Sequence, residues 1–276
     1  MKVSWPRSRQ VLPGFRLSLA FTLFYLGAFV LIPLFALLDR SLSLGAAGIW
    51  VVISTPRVLA ALRLSFGTAF LAAVIDTVFG FVIAWVLVRY DFPGKKILGG
   101  VIDLPFALPT AVAGIALSTL YAPNGWIGAP LAEHGIRIAY TPMGVLVAMT
   151  FIGLPFGVRT LEPVLSELGL EMQEAAATLG ATRLQTIWLI VLPMLLPSLL
   201  TGAALAFARC VGEYGSIIFI AGNIPGVSEI APLLIVTKLE EFDYAGAAAM
   251  GVVMLVASFA MLLALNGLQN WVAKRR

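Results

Sequence analysis

The sequence predicts an all-α, polytopic membrane protein with about six transmembrane helices. Of its 276 residues, 60% are hydrophobic and only 12% are charged, and the mean hydropathy is +0.99. Soluble domains contain about 25% charged residues. Several apolar runs approach about twenty residues, the length that an α-helix needs to cross a bilayer. Basic residues flank these runs at alternate ends, as expected when loops alternate between the two sides of a membrane.

Six apolar segments form the predicted spans, at approximately 17–38, 59–88, 101–120, 141–158, 186–211 and 245–268. The first has a basic start but no convincing small-residue cleavage site, so we interpret it as a retained membrane helix rather than a signal peptide. The second exceeds one crossing, which predicts tilt or an extension beyond the bilayer. Pro105 and Pro109 lie in the first turns of the third span and predict a kink there.

The segments between the spans complete the predicted organisation. Residues 39–56 are expected to form a polar loop. Residues 212–244 alternate short apolar pieces with Gly and Pro, so we expect a loop that dips back toward the membrane. The predicted divisions are 1–58 for the N-terminal tail, first transmembrane helix and periplasmic loop, 59–268 for the transmembrane domain, and 269–276 for a basic cytoplasmic tail.

The distribution of Lys and Arg predicts that both termini are cytoplasmic. With that orientation, twelve basic residues lie inside: Lys2, Arg7, Arg9, Arg16, Arg89, Lys95, Lys96, Arg159, Arg183, Lys274, Arg275 and Arg276. Five lie outside: Arg40, Arg57, Arg63, Arg137 and Lys238. The excess inside matches the positive-inside rule, which accounts for the net charge of +4 without a nucleic-acid partner.

Residues 171–193 are only partly apolar and predict a helix, a glycine turn and a second helix. Four residues fall at i, i+3, i+4 and i+7 and share one face of the first helix: Met172, Ala175, Ala176 and Leu179. Gly180 follows at the position where helices end in a left-handed residue. Thr182 and Gln185 have the spacing of a capping box. Because so short a helix is marginal alone in water, we expect an exposed docking helix stabilised by a partner.

The same stretch contains a longer pattern, formed by Glu174, Ala175, Ala176, Gly180, Ile190, Leu192 and Pro193. This pattern resembles the EAA loop of bacterial ABC importer permeases. The resemblance implies a type I ABC importer permease fold, in which the loop at 162–185 holds a cytoplasmic coupling helix that sits in a groove of an ATPase. It implies an ATPase-coupling role for Met172, Glu174, Ala175, Ala176, Leu179 and Gly180.

Two further segments indicate which branch of the ABC importer permeases the chain resembles. Residues 103–128 and 207–238 resemble the T-type permease subunits of sulfate/thiosulfate importers, and the pattern at 207–215 is shared with molybdate permeases. The resemblance implies four kinds of partner: a homologous W-type permease subunit, an ATPase dimer, a periplasmic sulfate-binding protein and the lipid bilayer of the bacterial inner membrane. The chain lacks a GxxxxGK[ST] phosphate loop, so ATP and Mg belong to the partner ATPase and no cofactor is expected here.

Other classes of function have less support in the sequence. His134 and Cys210 are the only residues of their types, so we expect neither a metal site nor a catalytic one. An ion-coupled secondary transporter would show inverted repeats and a midplane acid pair, and no internal repeat is evident. A molybdate, tungstate or other oxyanion permease remains open as an alternative to sulfate.

Polar residues within the spans are candidates for function or for helix packing. We expect Asp76 to make a helix–helix contact and Asp103 to be solvated or to cap a helix. Four hydroxyls could face an oxyanion, although such groups more often join packed helices: Thr110, Ser118, Thr119 and Ser216. Arg209 and Glu213 are four residues apart and predict either a structural ion pair or an anion contact.

Overall fold

A computed structural model of the chain describes residues 14–274, and within that range every regular element is helical. The first elements are α1 (Phe15–Leu26), the π-helical turn π1 (Gly27–Leu31), α2 (Ile32–Leu42), α3 (Gly45–Ser54), α4 (Pro56–Arg89), α5 (Lys95–Ile102), α6 (Leu104–Ala107), α7 (Thr110–Tyr121) and α8 (Gly128–Glu133). The remainder are α9 (Pro142–Glu167), α10 (Glu171–Thr178), α11 (Arg183–Thr186), π2 (Ile187–Val191), α12 (Leu192–Val211), α13 (Ile217–Ala221), α14 (Ala231–Glu240) and α15 (Tyr244–Lys274).

Within the described range, five segments are long and apolar enough to cross a membrane, namely α1–α2, α4, α9, α11–α12 and α15. They correspond to five of the six predicted spans. The third predicted span is instead divided among α5, α6 and α7. Leu108 and Pro109 are extended and separate α6 from α7, because Pro109 has no backbone N–H and disfavours a helical residue before it. The predicted kink is therefore a complete break.

Helical structure is present in three segments that were expected to be loops or a tail. The expected polar loop at 39–56 is mostly helical, since α2 reaches Leu42 and the apolar helix α3 packs against α15 and α2. The first six residues of the expected coupling loop at 162–185 belong to α9. The described part of the expected tail at 269–276 continues α15 to Lys274. The polar residues at 162–167 and 269–274 therefore lie on the extended ends of α9 and α15, whereas residues 45–54 form a separate apolar helix.

The core forms where α4, α9 and α12 pack against one another. Small side chains line the contact, including the fully buried Ala69, Ala72 and Ala84 of α4. A Cβ built at Gly80 would lie 2.9 Å from the carbonyl carbon of Gly157, so glycine is required where α4 meets α9. Small residues of this kind let membrane helices approach closely.

Residues 212–244 fold into two short helices, α13 and α14, that pack within the bundle. α13 contacts α7 and α9, and α14 contacts α4 and α15. Ile217, Ile220 and Leu234 are buried there. As predicted, neither helix is long enough to span a bilayer, since they contain 5 and 10 residues.

An ion pair fixes the start of α4 to the segment before α14. Arg57 donates from Nε and Nη2 to the two carboxylate oxygens of Glu229, at 2.8 and 2.7 Å. The Glu229 side chain is fully buried, whereas that of Arg57 is 42% exposed. The two residues are 172 positions apart in the chain, so the pair links two segments that are distant in the sequence.

We expect Arg57→Leu to lower the free energy of unfolding by about 2 kcal/mol, because a charged hydrogen-bond partner of a buried carboxylate is lost. The measurement is the thermal denaturation midpoint of the purified protein. The control is Arg63→Leu, which removes an exposed arginine of the same helix that forms no ion pair within the described residues. Equal midpoints for the two variants would show that the Arg57–Glu229 pair does not stabilise the fold.

Candidate functional site

The helix α10, hereafter the loop helix (Glu171–Thr178), is joined to α11 by a compact turn. Gly180 has φ +83°, which confirms the left-handed conformation predicted for it. The N–H of Ala181 donates to the carbonyl of Ala176 and the N–H of Gly180 to that of Ala177, both at 3.0 Å. This pair of bonds is the Schellman motif, which satisfies the last carbonyls of a helix. The turn therefore sets the direction in which the chain leaves the loop helix.

The predicted capping box is present at the start of α11. The Thr182 hydroxyl accepts a hydrogen bond from the Gln185 N–H at 3.3 Å, and the Gln185 side chain accepts one from the Thr182 N–H at 2.8 Å. Because only Ala181 separates this box from Gly180, the loop helix and α11 are joined without a flexible linker. A displacement of the loop helix would be passed directly to α12.

The face that the loop helix offers to a partner differs from the predicted one. Leu179 is 88% exposed and Met172 46% exposed, but Leu179 lies beyond the helix as its C-cap. Ala176 is buried against the rest of the chain, so its assignment to the exposed face was wrong. Ala175 and Glu174 are exposed. The helical period alone could not show which small residue faces inward.

A charged cluster ties the broken third segment to α9, the helix that leads into the loop helix. Arg159 of α9 donates from Nε to the Asp103 carboxylate at 2.8 Å, and from Nη2 to that carboxylate and to the carbonyl of Gly99 at 2.9 Å. It also pairs with Glu162 one turn later. Asp103 occupies the N-cap position of α6 without a side-chain capping bond, and its side chain is 44% exposed, so it is partly solvated as expected; the ion pair with Arg159 was not predicted. The cluster holds α5 and α6 against α9.

Arg209 and Glu213 form an ion pair at the end of α12. Arg209 Nη1 donates to Glu213 Oε2 at 2.6 Å. The other carboxylate oxygen, Oε1, accepts from the backbone N–H and the hydroxyl of Ser216, both at 3.0 Å. The Glu213 side chain is 3% exposed and that of Arg209 is 34% exposed. The geometry contains the predicted pair, and the guanidinium keeps some access to solvent.

Asp76 lies buried between α4, α9 and α12. A Cβ built at Gly153 of α9 would collide with the Asp76 carboxylate and would approach the sulfur of Cys210 on α12. Glycine at position 153 therefore makes room for both side chains. Neither Asp76 oxygen has a hydrogen-bond partner among the described residues. The predicted helix–helix contact is therefore made by packing alone.

The candidate hydroxyls do not converge on one site. Ser118 and Thr119 line a cavity of about 650 Å³ with Asn124 and Trp126, beside the loop that follows α7. The Thr119 hydroxyl donates to the carbonyl of Ile115. Ser216 is fully buried and donates to Glu213, whereas Thr110 lies against Gly215. Only the first two residues could meet a ligand entering this cavity.

Two ion pairs lie outside the long membrane helices. The Lys238 ammonium and the Gly246 N–H together hold the pKa of the Asp243 carboxyl below its usual range. In the turn after α4, the Lys95 ammonium lowers the pKa of Asp91, which is fully exposed. Both carboxylates are therefore ionised at neutral pH, and both pairs fix turns rather than forming a reactive site.

Among the described residues, no group of three or more His, Cys, Asp and Glu side chains could hold a metal ion. His134 is exposed, as predicted, and its Nδ1 lies 2.9 Å from the carbonyl of Pro130. The sequence interpretation missed the Arg57–Glu229 and Arg159–Asp103 pairs, since residues so far apart leave no local signal. The Arg159–Glu162 contact could have been found from its i, i+3 spacing.

These features define a multi-pass, helical membrane protein in which the loop helix is held outside the long segments by a Schellman turn and a capping box. The chain belongs to the family of binding-protein-dependent transport system inner membrane components, whose model matches residues 76–276. It is thus a non-catalytic, multi-pass component of the inner membrane.

Curated relatives match almost the whole chain. It is 48% identical to the sulfate transport system permease proteins CysT of Salmonella typhimurium and Escherichia coli, over 97% of each chain. It is 51% identical to CysT of Synechococcus elongatus, over 92% of this chain and 91% of the relative.

Solved structures confirm the fold class. A bacterial alginate ABC transporter, in complex with an alginate-bound periplasmic protein, contains a chain that matches with a TM-score of 0.77 and 17% identity over 94% of both chains. A chain of the MetNI methionine ABC transporter in an inward-facing conformation matches with a TM-score of 0.59 and 15% identity, over 78% of this chain and 95% of that one. Both likenesses concern the fold alone.

Proposed function

We propose that this chain is the permease subunit of an ABC importer that carries sulfate and thiosulfate across the inner membrane. The observation that carries the proposal is its 48–51% identity, over more than nine-tenths of each chain, to relatives named as sulfate transport system permeases. A dianion in hydrocarbon is very unfavourable, so the passage is a polar cavity between subunits.

The proposed complex contains a homologous W-type permease subunit, two ATPase subunits that bind ATP and Mg, and a periplasmic sulfate-binding protein. The loop helix and its C-cap residue are the contact with the ATPase, where Met172 and Leu179 offer exposed apolar side chains to a groove. Closure of the ATPase dimer would move the loop helix. The Schellman turn and the capping box would then pass that movement to α12, which packs against α4 and α9.

A second candidate substrate is another oxyanion, such as molybdate or tungstate, because the pattern at 207–215 is shared with molybdate permeases. Uptake of labelled sulfate, thiosulfate and molybdate by the full complex in vesicles distinguishes the two. We expect sulfate and thiosulfate to enter only when the ATPase subunit and ATP are present. Uptake that continues without the ATPase would overturn the assignment to an ABC importer. Uptake of molybdate alone would overturn the assignment of sulfate and thiosulfate as the substrates.

The proposed orientation places the Asn124 loop in the periplasm and the α4–α5 turn in the cytoplasm. Asn124→Cys should therefore react in whole cells with a membrane-impermeant maleimide, whereas Lys96→Cys should react only after the membrane is opened. Both positions are exposed. The native Cys210 is fully buried, so the unchanged protein serves as the unlabelled control. Labelling of Lys96→Cys but not Asn124→Cys in whole cells would reverse the orientation.

A further inference from the structure

A cavity of about 370 Å³ lies behind the loop helix, and its lining contains two arginines and no acidic side chain. The polar and aromatic part of the lining consists of Trp85, Arg89, Tyr90, Gln173, Arg183 and Thr186. Gln173 and Ala177, which lie one turn apart, form the wall contributed by the loop helix. They occupy a different face from Met172 and Leu179, so the cavity is separate from the proposed contact with the ATPase.

Two segments of the chain, the end of α4 and the start of α11, supply the charges of this cavity. Arg89 ends α4, stacks over the Trp85 ring at 5.6 Å and donates from Nη2 to the carbonyl of Leu168 at 3.3 Å. Arg183 begins α11, is exposed and forms no ion pair within the described residues. Two cations thus share one small volume without a counter-charge, an arrangement that an anion would stabilise.

Two donors on the lining residues also lack acceptors. Arg89 Nε and Gln173 Nε2 are buried, and neither has a hydrogen-bond partner among the described residues. Buried donors are normally paired, because the loss of hydration is otherwise uncompensated. A ligand that supplies oxygen acceptors between α4 and the loop helix would satisfy both groups.

We propose that this cavity binds a tetrahedral oxyanion, supplied either by the phosphate of an anionic lipid headgroup or by free sulfate. The guanidinium group presents several N–H donors in a plane that fits phosphate and sulfate oxygens. Trp85 and Tyr90 are of the types that gather at membrane interfaces, and basic pockets between membrane helices bind lipid headgroups. The geometry therefore favours the lipid as the source. Lipid binding does not rest on the proposed function, whereas the sulfate source and any effect on movement driven by the ATPase do.

A bound oxyanion would join α4, the loop helix and α11 through Arg89, Gln173 and Arg183. Occupancy would therefore hold the loop helix against the bundle, and an anion at the membrane surface would affect how firmly ATPase movement is passed to the spans.

The test measures binding rather than transport, so it stands apart from the uptake experiment. The full complex is purified in nanodiscs, and native mass spectrometry counts retained phosphatidylglycerol against phosphatidylcholine. We expect Arg89→Gln and Arg183→Gln each to weaken phosphatidylglycerol retention about tenfold, the effect of losing one charge-assisted hydrogen bond. Lys96→Gln is the matched control, since it removes a nearby exposed cation that is not in the cavity.

A second measurement identifies the source of the oxyanion. The thermal midpoint of the complex is recorded in sodium sulfate and in sodium chloride of equal ionic strength. A sulfate-specific rise that Arg183→Gln removes, with lipid retention unchanged, would assign the site to the free anion. Arg183 is exposed and unpaired, so its replacement leaves the fold intact. If neither lipid retention nor the sulfate effect differs between Arg183→Gln and Lys96→Gln, the proposal is overturned. The same result is expected if an acidic side chain of the ATPase, rather than an oxyanion, fills the cavity, so that case also counts against the proposal.

Discussion

Gly180→Val should reduce sulfate uptake by about tenfold or more while the protein stays in the membrane, because a left-handed β-branched residue costs about 1–2 kcal/mol. A Cβ at Gly180 would meet no atom within 4 Å, so the strain comes from the backbone conformation alone. The mutation would disturb the Schellman turn and the direction of α11. The measurement is ATP-dependent uptake by vesicles that contain equal amounts of complex.

Two control variants separate this effect from a general loss of stability. Gly180→Asn should retain most of the uptake, since Asn tolerates the left-handed region better than other non-glycine residues. Gly169→Ala alters the glycine before the loop helix, where φ is not positive and a Cβ would make only an ordinary contact. It should transport normally. Normal uptake by Gly180→Val would remove the coupling role from this turn.

Local sequence patterns predicted the parts of the site that depend on neighbouring residues. Gly180 and the Thr182–Gln185 box were found because capping chemistry is fixed within four residues. Five of the long helices were predicted because hydropathy and length suffice to identify a span. The break at Leu108 and Pro109 was underestimated, since a proline in a span is compatible with either a kink or an interruption.

The remaining features depend on how distant segments meet. Nothing near Asp103 indicates that Arg159, 56 residues away, will pair with it. The burial of Ala176 follows from how the loop helix rests on the bundle, and the helical period leaves that rotation open. The arginine cavity also arises from distant segments, because Arg89 and Arg183 come together only when α4 and α11 are folded. The end of α9 was misplaced for a related reason, since Leu165 in its last turn is buried against distant parts of the chain.

Arg209→Leu should destabilise the protein by about 3 kcal/mol, the lower end of the range for removing one partner of a buried ion pair. Glu213 would remain buried as a charge supported only by the two Ser216 hydrogen bonds. We expect less assembled complex and a lower thermal midpoint. Arg137→Leu is the control, because Arg137 is exposed and forms no ion pair within the described residues.

The double variant Arg209→Leu/Glu213→Gln decides what the pair does. Gln has nearly the volume of Glu and keeps an oxygen that can accept from Ser216, but it carries no charge. If the pair is structural, the double variant should recover most of the lost thermal midpoint and also part of the uptake, because no uncompensated charge remains buried. If the Arg209 guanidinium contacts the transported anion, assembly and midpoint should recover while uptake stays at the level of Arg209→Leu. That second outcome would refute a purely structural role and make the part-exposed Arg209 side chain the anion contact at this end of α12.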